Sequence, residues 1–208
     1  MIVAVDGPAA SGKGTIARAL AAHYRLPHLD TGLLYRAAAL NLLERGGDPD
    51  SEFAAARATD LSQIRFDDPE LKTETVGSVA SRISAYPLVR EALLERQRAF
   101  AAQPQGAVLD GRDIGTVIAP LADAKLFITA APEVRARRRF DELKATGLDV
   151  HFADVLADIR ARDERDSSRA AAPLVMAADA VLLDTSEMTP AEAIAAAIGI
   201  VEMRRATR

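Results

Sequence analysis

Apolar residues follow two patterns along the chain: short continuous runs of strand length, and longer stretches in which they recur with helical spacing. The short runs predict five strands, at 2–5, 26–29, 107–109, 125–129 and 180–183. The helical spacing predicts six helices, at 13–23, 33–45, 87–102, 133–146, 152–166 and 190–205. Strands that alternate with helices favour an α/β fold with a parallel sheet covered on both faces. Such sheets bind ligands beyond the carboxyl ends of their strands.

The segment 48–84 does not share this regularity. It contains the breaker sequence "FDDPE" and few bulky apolar residues. We therefore expect it to form an insertion or a subdomain outside the sheet.

Composition restricts the function classes. The chain has no cysteine, which excludes disulfides and thiolate zinc sites, and no apolar run long enough to span a membrane. No signal peptide is apparent at the N-terminus, so we expect a cytoplasmic protein. The net charge of −4 argues against a nucleic-acid partner. Arginines outnumber lysines by 22 to 4, and the planar guanidinium group suits phosphate recognition.

The stretch "GPAASGKGT", residues 7–15, follows the first predicted strand and precedes a helix. It matches G-x-x-x-x-G-K, in which glycines turn the backbone so that N–H groups surround a phosphate. Lys13 is expected to reach the β- and γ-phosphates of a nucleotide. A Gly-rich turn without a ligand is the alternative, but the strand and helix on either side favour nucleotide binding.

Gly14 occupies the position where the commonest phosphate-loop signature has Ser or Thr. The ending "GKGT" resembles that of nucleoside monophosphate kinases of the adenylate-kinase type. The loop is thus expected to serve a small-molecule phosphoryl-transfer enzyme. Thr15 becomes the candidate to contact phosphate or Mg²⁺, directly or through water.

The stretch "LDTGLLYR", residues 29–36, follows the second predicted strand. Asp30 or Thr31 can cap a helix there, and a plain capped helix is one interpretation. The other adds Tyr35 and Arg36, which project from the first turn towards the strand ends. An arginine at this place can hold an acceptor phosphate by a bidentate contact.

The stretch "AVLDGRDIG", residues 107–115, is a strand followed by charged residues. Asp110 at the strand end is a candidate magnesium-linked carboxylate, although aspartate is also common in turns. Arg112 offers a donor fork and Asp113 an acceptor. A local ion pair between these two neighbours is the alternative interpretation.

Arg162, Asp166 and Arg169 recur at spacings of four and three, which predicts one shared helical face. Such a face can be a solvated surface. Next to a phosphate loop, its arginines can instead neutralise a transferring phosphoryl group. Four more arginines, at 135, 137, 138 and 139, cannot all face one way, and we expect one or two to reach ATP. The three histidines share no metal-binding spacing and are interpreted as structural.

Five motifs together resemble the bacterial cytidylate kinase family over essentially the whole chain. They are "VDGPAASGKGT", "LDTGLLYR", "ISAYPLVREALLERQRAF", "DGRDIGTVI" and "RDERDSSRAAAPL". The resemblance implies transfer of the γ-phosphoryl group of ATP to CMP or dCMP, with Mg²⁺ as cofactor. It implies a P-loop NTPase-type three-layer α/β/α fold with a five-stranded parallel core sheet, an NMP-binding insert and a small lid.

The resemblance also implies a role for each matched position. ATP is assigned to Gly7, Pro8, Ala9, Ala10, Ser11, Gly12, Lys13, Gly14 and Thr15. The cytosine base is assigned to Ser81, Arg90 and Asp113, and the sugar to Arg162 and Asp166. The CMP phosphate side is assigned to Tyr35, Arg36, Arg112 and Arg169, with Thr31 also in the CMP site. The catalytic set is Lys13, Arg112, Arg162 and Arg169, and the metal set is Thr15 and Asp110, directly or through water.

The implied organisation is one kinase unit with a core at 1–47, 85–131 and 152–208, an insert at 48–84 and a lid at 132–151. Two features depart from the family pattern. Thr31 stands where the family often has serine, which keeps the hydroxyl group. The insert sequence "IRFDDPELKTETVGS" is short, so we expect a trimmed CMP-binding subdomain.

Three other functions stay open at this point. The chain can be a kinase for another monophosphate, such as UMP or AMP, a regulatory P-loop protein that binds ATP, or a nucleic-acid-dependent ATPase. The acidic composition counts against the last. We expect a monomer, with no membrane or nucleic-acid partner.

Overall fold

The computed structural model describes residues 1–206, and within them five strands form one all-parallel sheet. The strands are β1 Ile2–Asp6, β2 His28–Asp30, β3 Ala107–Gly111, β4 Ala124–Thr129 and β5 Val181–Asp184. Their order across the sheet is β2-β3-β1-β4-β5, so β1 lies at the centre. Val5 of β1 is paired in register with Asp110 of β3 and with Leu126 of β4. The predicted α/β class and parallel five-stranded sheet are confirmed.

Eight α-helices surround this sheet in the described part of the chain. They are α1 Lys13–Tyr24, α2 Thr31–Glu44, α3 Glu52–Arg57, α4 Glu74–Ile83, α5 Pro87–Ala101, α6 Pro132–Ala145, α7 Phe152–Ser168 and α8 Pro190–Ala206. A 3-10 turn, Pro69–Lys72, precedes α4, and a π-helical turn, Ile114–Ile118, follows β3.

One predicted strand boundary and one predicted helical face are wrong for identifiable reasons. Leu26 was expected to begin the second strand but instead closes α1, since its N–H donates to the Ala21 carbonyl and Arg25 has a left-handed backbone. The strand therefore begins at His28. In the C-terminal half, α7 ends at Ser168 and Arg169 is extended, so Arg169 does not continue the helical face of Arg162 and Asp166.

The segment 48–84 lies outside the sheet, as predicted, but it is mostly helical. Ser51 caps α3 by accepting from the Ala54 N–H, and Thr73 caps α4 by accepting from the Val76 N–H. Periodicity missed these helices because α3 is short and α4 contains glycine, alanine and serine on its buried face. The division into an insert at 48–84 and a lid at 132–151 that move relative to the core stays a prediction.

Buried apolar residues cover both faces of the sheet. On one face, α1 and α8 pack on the strands through Ile16, Leu20 and Val201. On the other face, α5 and the π-helical turn contribute Ala101, Ile114 and Ile118. A separate cluster joins α2, α3, α4 and α5, and a smaller one joins the loop residue Ala9 to α6 and α7. The three-layer prediction is confirmed.

No helix among the described residues has the length and apolar character needed to cross a membrane. Residues 207–208 of the predicted core lie outside the described residues.

Candidate active site

The loop after β1 turns back over the sheet edge and feeds directly into α1. Ala10 and Gly12 both have left-handed backbones, with φ of 57° and 88°. Gly12 is the N-cap of α1 and has no side chain that could accept from the first amides of the helix. At Gly7, a Cβ would overlap the carbonyl oxygen of Ile128. A glycine turn that leads into a helix N-terminus is the backbone arrangement that binds an anionic phosphate.

Beside the loop lies a cavity of about 390 Å³, here called the loop cavity. Of the nine residues assigned to ATP, six line it. The others have supporting roles or positions: Gly7 packs on β4, Pro8 accepts a hydrogen bond from Lys13, and Ala9 faces α6 and α7. The lining residues are Ala10–Ile16, Arg18, Arg138, Glu142, Thr185, Met188–Pro190 and Ala193.

Lys13 lines this cavity, and its ammonium group contacts the loop backbone. Its Nζ donates to the Pro8 carbonyl oxygen at 3.3 Å. Burial, followed by the positive charge of Arg112, lowers the pKa of Lys13 to about 7. Burial thus disfavours the charged form of Lys13, and an anionic ligand beside the ammonium group would offset this effect.

The predicted metal residues lie near the loop but do not form a metal cage. Asp110 Oδ1 is 2.7 Å from His28 Nε2, and its Oδ2 faces the Cα of Gly14. The Thr15 hydroxyl is 3.5 Å from Arg18 Nη2. Within residues 1–206 no three His, Cys, Asp or Glu side chains cluster as metal ligands. One hydroxyl and one carboxylate fit Mg²⁺ that is held mainly by phosphates and water.

A second cavity, of about 60 Å³, lies beyond the carboxyl ends of β2 and β3 and is here called the arginine cavity. All ten residues assigned to CMP line it, although they come from four helices, the loop after β3 and the residue that follows α7. The lining residues are Thr31, Gly32, Tyr35, Arg36, Ala80, Ser81, Ser84, Arg90, Gly111, Arg112, Asp113, Arg162, Asp166 and Arg169.

Arg112 and Asp113 do not pair with each other among the described contacts, so the local ion pair is the wrong interpretation. Arg112 Nε donates to Asp166 Oδ2 at 2.7 Å, whereas Asp113 accepts from Arg90. Each pair joins the loop after β3 to a different helix. Burial alone would raise the pKa of Asp166, but the cations of Arg112, Arg162 and Arg169 lower it.

Two arginines of this cavity keep buried donors without a partner in the described part of the chain: Nε of Arg162 and Nη2 of Arg169. Burial and then the charge of Arg112 lower the pKa of Arg162 to about 10, and burial and Arg90 lower the pKa of Arg169. Buried, mutually repelling guanidinium groups with free donors are suited to binding a multivalent anion.

In the "LDTGLLYR" motif, one residue caps α2 and others line the arginine cavity. Asp30 caps α2 through the Leu33 N–H, whereas the Thr31 hydroxyl donates to the Asp110 carbonyl oxygen at 2.8 Å. Tyr35 is buried, with its ring 5.9 Å from the Arg90 guanidinium carbon. Arg36 donates to the carbonyls of residues 71 and 73, so in this state it also ties α2 to the insert.

The cluster of arginines on α6 separates as expected, and one of them, Arg138, lines the loop cavity. It donates to the hydroxyl and the carbonyl of Thr185. Arg135 forms a bidentate pair with Asp163, Arg137 stacks on Phe152, and Arg139 pairs with Glu74 of α4. Arg139 instead lines a third cavity of about 310 Å³ between the loop, α6 and α7.

Sequence reasoning missed three polar residues that shape the site. Thr185 joins the loop to β4 by donating to the carbonyls of Ser11 and Thr129. Arg165 Nε donates to Ser81 Oγ at 3.3 Å and so connects α7 to α4. Asp6 accepts two backbone N–H groups of the π-helical turn. Only the short strand-end motif "VD" before the glycine loop pointed to Asp6.

Comparison with known proteins agrees with this geometry. The sequence profile of the Cytidylate kinase family matches residues 3–203. A protein named Cytidylate kinase from Xanthobacter autotrophicus (strain Py2) is 62% identical over 211 residues, covering 100% of both chains. Another of the same name, from Rhodopseudomonas palustris (strain TIE-1), is 57% identical over 100% of this chain and 99% of its own.

A likeness of fold extends to a solved structure of much lower identity. The crystal structure of an uncharacterized protein from Eubacterium ventriosum ATCC 27560 superposes with a TM-score of 0.57 at 15% identity. The superposition covers 97% of this chain and 98% of that one.

Proposed function

The chain belongs to the cytidylate kinase family, and from this premise we propose that its two cavities hold the two substrates of one phosphoryl transfer. The enzyme is an ATP-dependent phosphotransferase that acts on CMP and dCMP. We assign ATP to the loop cavity and CMP or dCMP to the residues that line the arginine cavity, which has to widen from about 60 Å³ to admit a nucleotide. The observation that supports this assignment most is the pair of unpartnered buried arginine donors in the arginine cavity, opposite a phosphate-binding loop.

In the proposed reaction, a phosphate oxygen of CMP attacks the γ-phosphorus of ATP. The bond from the γ-phosphorus to the bridging oxygen breaks, its electron pair stays with ADP, and CDP forms. Catalysis by positioning and charge neutralisation carries most of such a transfer, and a general base is not required.

We assign four cationic side chains as the catalytic set. Lys13 binds the β- and γ-phosphates, and Arg112, Arg162 and Arg169 neutralise the acceptor phosphate and the transferring group. Asp166 pairs with Arg112 and so holds that guanidinium group in place. Burial, and after it the charge of Arg112, lowers the pKa values of Lys13 and Arg162, and bound phosphates would offset both effects, which supports this assignment.

Mg²⁺ is the cofactor we propose, with Thr15 and Asp110 holding it directly or through water. When bound, it would screen the negative charge of the β- and γ-phosphates. His28 fixes one oxygen of Asp110 and leaves the other on the side of Gly14.

The cytosine is assigned to Ser81, Arg90 and Asp113. Cytosine presents an N4 donor beside acceptors at N3 and O2, so a carboxylate and a guanidinium group can both be satisfied. Uracil would place its O4 acceptor against the same carboxylate. A buried group left unpaired in this way costs about 1–3 kcal/mol, which favours CMP over UMP.

A coupled ADP-release assay tests this function, with Mg-ATP against CMP, dCMP, UMP, AMP and GMP and a control without acceptor. We expect strong turnover with CMP and dCMP, weak turnover with UMP and negligible turnover without acceptor. A preference for UMP or AMP would contradict the base assignment, and turnover without acceptor would indicate a regulatory ATPase. Omitting Mg²⁺ tests the cofactor, and analytical ultracentrifugation of the purified protein tests the proposed monomer. We also propose that the protein is cytoplasmic and has no nucleic-acid or membrane partner.

A further inference from the structure

Asp6 is a buried carboxylate that the proposed reaction does not use. It is the last residue of β1, directly before Gly7, and it is 5% exposed. Its Oδ1 accepts the N–H of Ile114 and its Oδ2 accepts the N–H of Gly115, each at 2.8 Å. Both oxygens therefore serve backbone amides more than a hundred residues away in the chain.

These amides are the first two of the π-helical turn after Asp113. Asp113 occupies the N-cap position of that turn, where an aspartate side chain normally accepts from the second or third amide. Here its side chain makes no capping bond, and its carboxylate pairs with Arg90 in the arginine cavity. Asp6 thus accepts from the Gly115 amide, which is the second amide of the turn and one that an aspartate at the N-cap could accept from instead.

Other contacts hold the π-helical turn as well, so its position relative to Asp6 is closely constrained. The Asp113 carbonyl oxygen accepts from the N–H groups of residues 117 and 118. A Cβ at Gly115 would lie 3.1 Å from Lys125 Cδ and 3.3 Å from Asp6 Oδ2, so the turn packs closely between these two side chains. Lys125 Nζ in turn donates to the Pro120 carbonyl oxygen at 2.6 Å.

We propose that Asp6 is a positioning residue for acceptor-base specificity. By capping the turn in place of Asp113, it leaves the Asp113 carboxylate free to face Arg90 and the cytosine. Without Asp6, the Asp113 side chain can rotate to cap its own turn and leave the cavity. This inference rests on the proposed function, since it assumes that Asp113 recognises the base.

The electrostatics agree with a role other than stabilisation. Burial is the main cause that raises the pKa of Asp6 to about 6; the nearby Asp113 carboxylate acts in the same direction, and the two amides and Arg112 oppose it. Ionisation of Asp6 is therefore disfavoured in the folded protein, which lowers its stabilising contribution at neutral pH. An uncharged replacement of the same shape is therefore expected to fold.

Three variants test the proposal: Asp6→Asn, Asp6→Ala and the matched control Asp123→Asn. Asp123 also caps a backbone amide with a carboxylate oxygen, that of Ile2 at 2.6 Å, but at the opposite end of β1. For Asp6→Ala we expect the CMP-to-UMP ratio of kcat/KM to fall about tenfold, the KM for CMP to rise and the Kd for ATP to stay within about twofold. Asp6→Asn, which keeps one acceptor oxygen, should lie between. The control should match the wild type.

A double-mutant cycle separates positioning from general support of the fold. If Asp6 acts through Asp113, then Asp113→Asn should change the CMP-to-UMP ratio far less in the Asp6→Ala background than in the wild type. Additive effects of the two substitutions, or an unchanged ratio in Asp6→Ala, would overturn the proposal. Equal losses of ATP and CMP binding would also overturn it.

Amide hydrogen exchange of Ile114 and Gly115 gives a readout that is independent of activity. We expect faster exchange at both amides in Asp6→Ala and unchanged exchange in Asp123→Asn. Failure of the proposed function would appear separately, as a wild-type enzyme that does not prefer CMP. In that case the exchange data would still test the capping role of Asp6.

Discussion

The loop cavity and the arginine cavity recognise phosphate in different ways. One side of the loop cavity is made of seven consecutive residues, 10–16, whose backbone is proposed to offer amides to an anion. The arginine cavity collects side chains from α2, α4, α5 and α7 and from the loop after β3, and it relies on paired and unpaired charges. A backbone site depends on conformation at a few positions, whereas a side-chain site depends on how distant elements pack. The two should therefore respond differently to substitution.

The largest effect is expected from breaking the backbone of the loop. Gly7→Ala places a Cβ on the Ile128 carbonyl oxygen, which the central sheet cannot move aside. We expect a loss on the order of 3 kcal/mol in the free energy of unfolding and loss of ATP binding, measured by urea unfolding and calorimetry. Gly199→Ala in α8 meets nothing within 4 Å and is the control. Wild-type ATP affinity in Gly7→Ala would show that the loop geometry is not required.

In the arginine cavity, by contrast, activity and stability should separate. Arg162→Met removes a buried cation that repels Arg112, so we expect kcat/KM for CMP to fall about 10²–10³-fold without a lower melting temperature. Arg160→Met, on the same helix, removes an exposed cation paired with Glu133 and should change neither. Steady-state kinetics and thermal unfolding measure both. A lower melting temperature with full activity in Arg162→Met would mean that Arg162 stabilises the fold and does not act in catalysis.

Specificity should depend on one carboxylate of the arginine cavity. Asp113→Asn is expected to lower the ratio of CMP to UMP turnover by about tenfold or more, because the amide can donate to uracil O4. Asp179→Asn is the control, since Asp179 also pairs with a cation, Lys125, but is largely exposed and lies outside both cavities. An unchanged ratio in Asp113→Asn would contradict the base assignment.

The last effect depends on pH and concerns Asp6, which ends β1 directly before the glycine loop. Its pKa is about 6 in the folded protein against an ordinary value of 3.8, so its stabilising contribution is present below pH 4 and is lost as pH rises towards 6. Asp6→Asn lacks this titration. Relative to the wild type, its free energy of unfolding should therefore rise between pH 4 and 7, by up to about 3 kcal/mol.

Urea unfolding of both proteins across that pH range measures the difference. The charged groups near Asp6 are Asp113 and Arg112, and neither is changed in the comparison. A difference that stays constant with pH would mean that Asp6 titrates normally in the folded protein.

The parts of the site that could be predicted are those in which neighbouring residues act together. The glycine loop, the strand before it and the helix after it are consecutive, so their spacing predicted the loop cavity. Of the ten residues assigned to CMP, Ser81 and Arg90 were named only through the family resemblance, whereas the short motifs had already singled out the other eight. Their own spacing did not bring Ser81, Arg90 and Asp113 together, because they belong to α4, α5 and the loop after β3.

The sequence alone determined the parallel sheet, the phosphate loop and the family, because hydrophobic spacing and short motifs encode local conformation directly. Tertiary structure alone decided which charges meet. It pairs Arg112 with Asp166 and Arg90 with Asp113, although Arg112 and Asp113 are neighbours in the chain. It also brings Asp6 to the amides of Ile114 and Gly115. The physical reason is that parallel strands set distant residues side by side at one sheet edge, and burial there makes every unpaired charge costly.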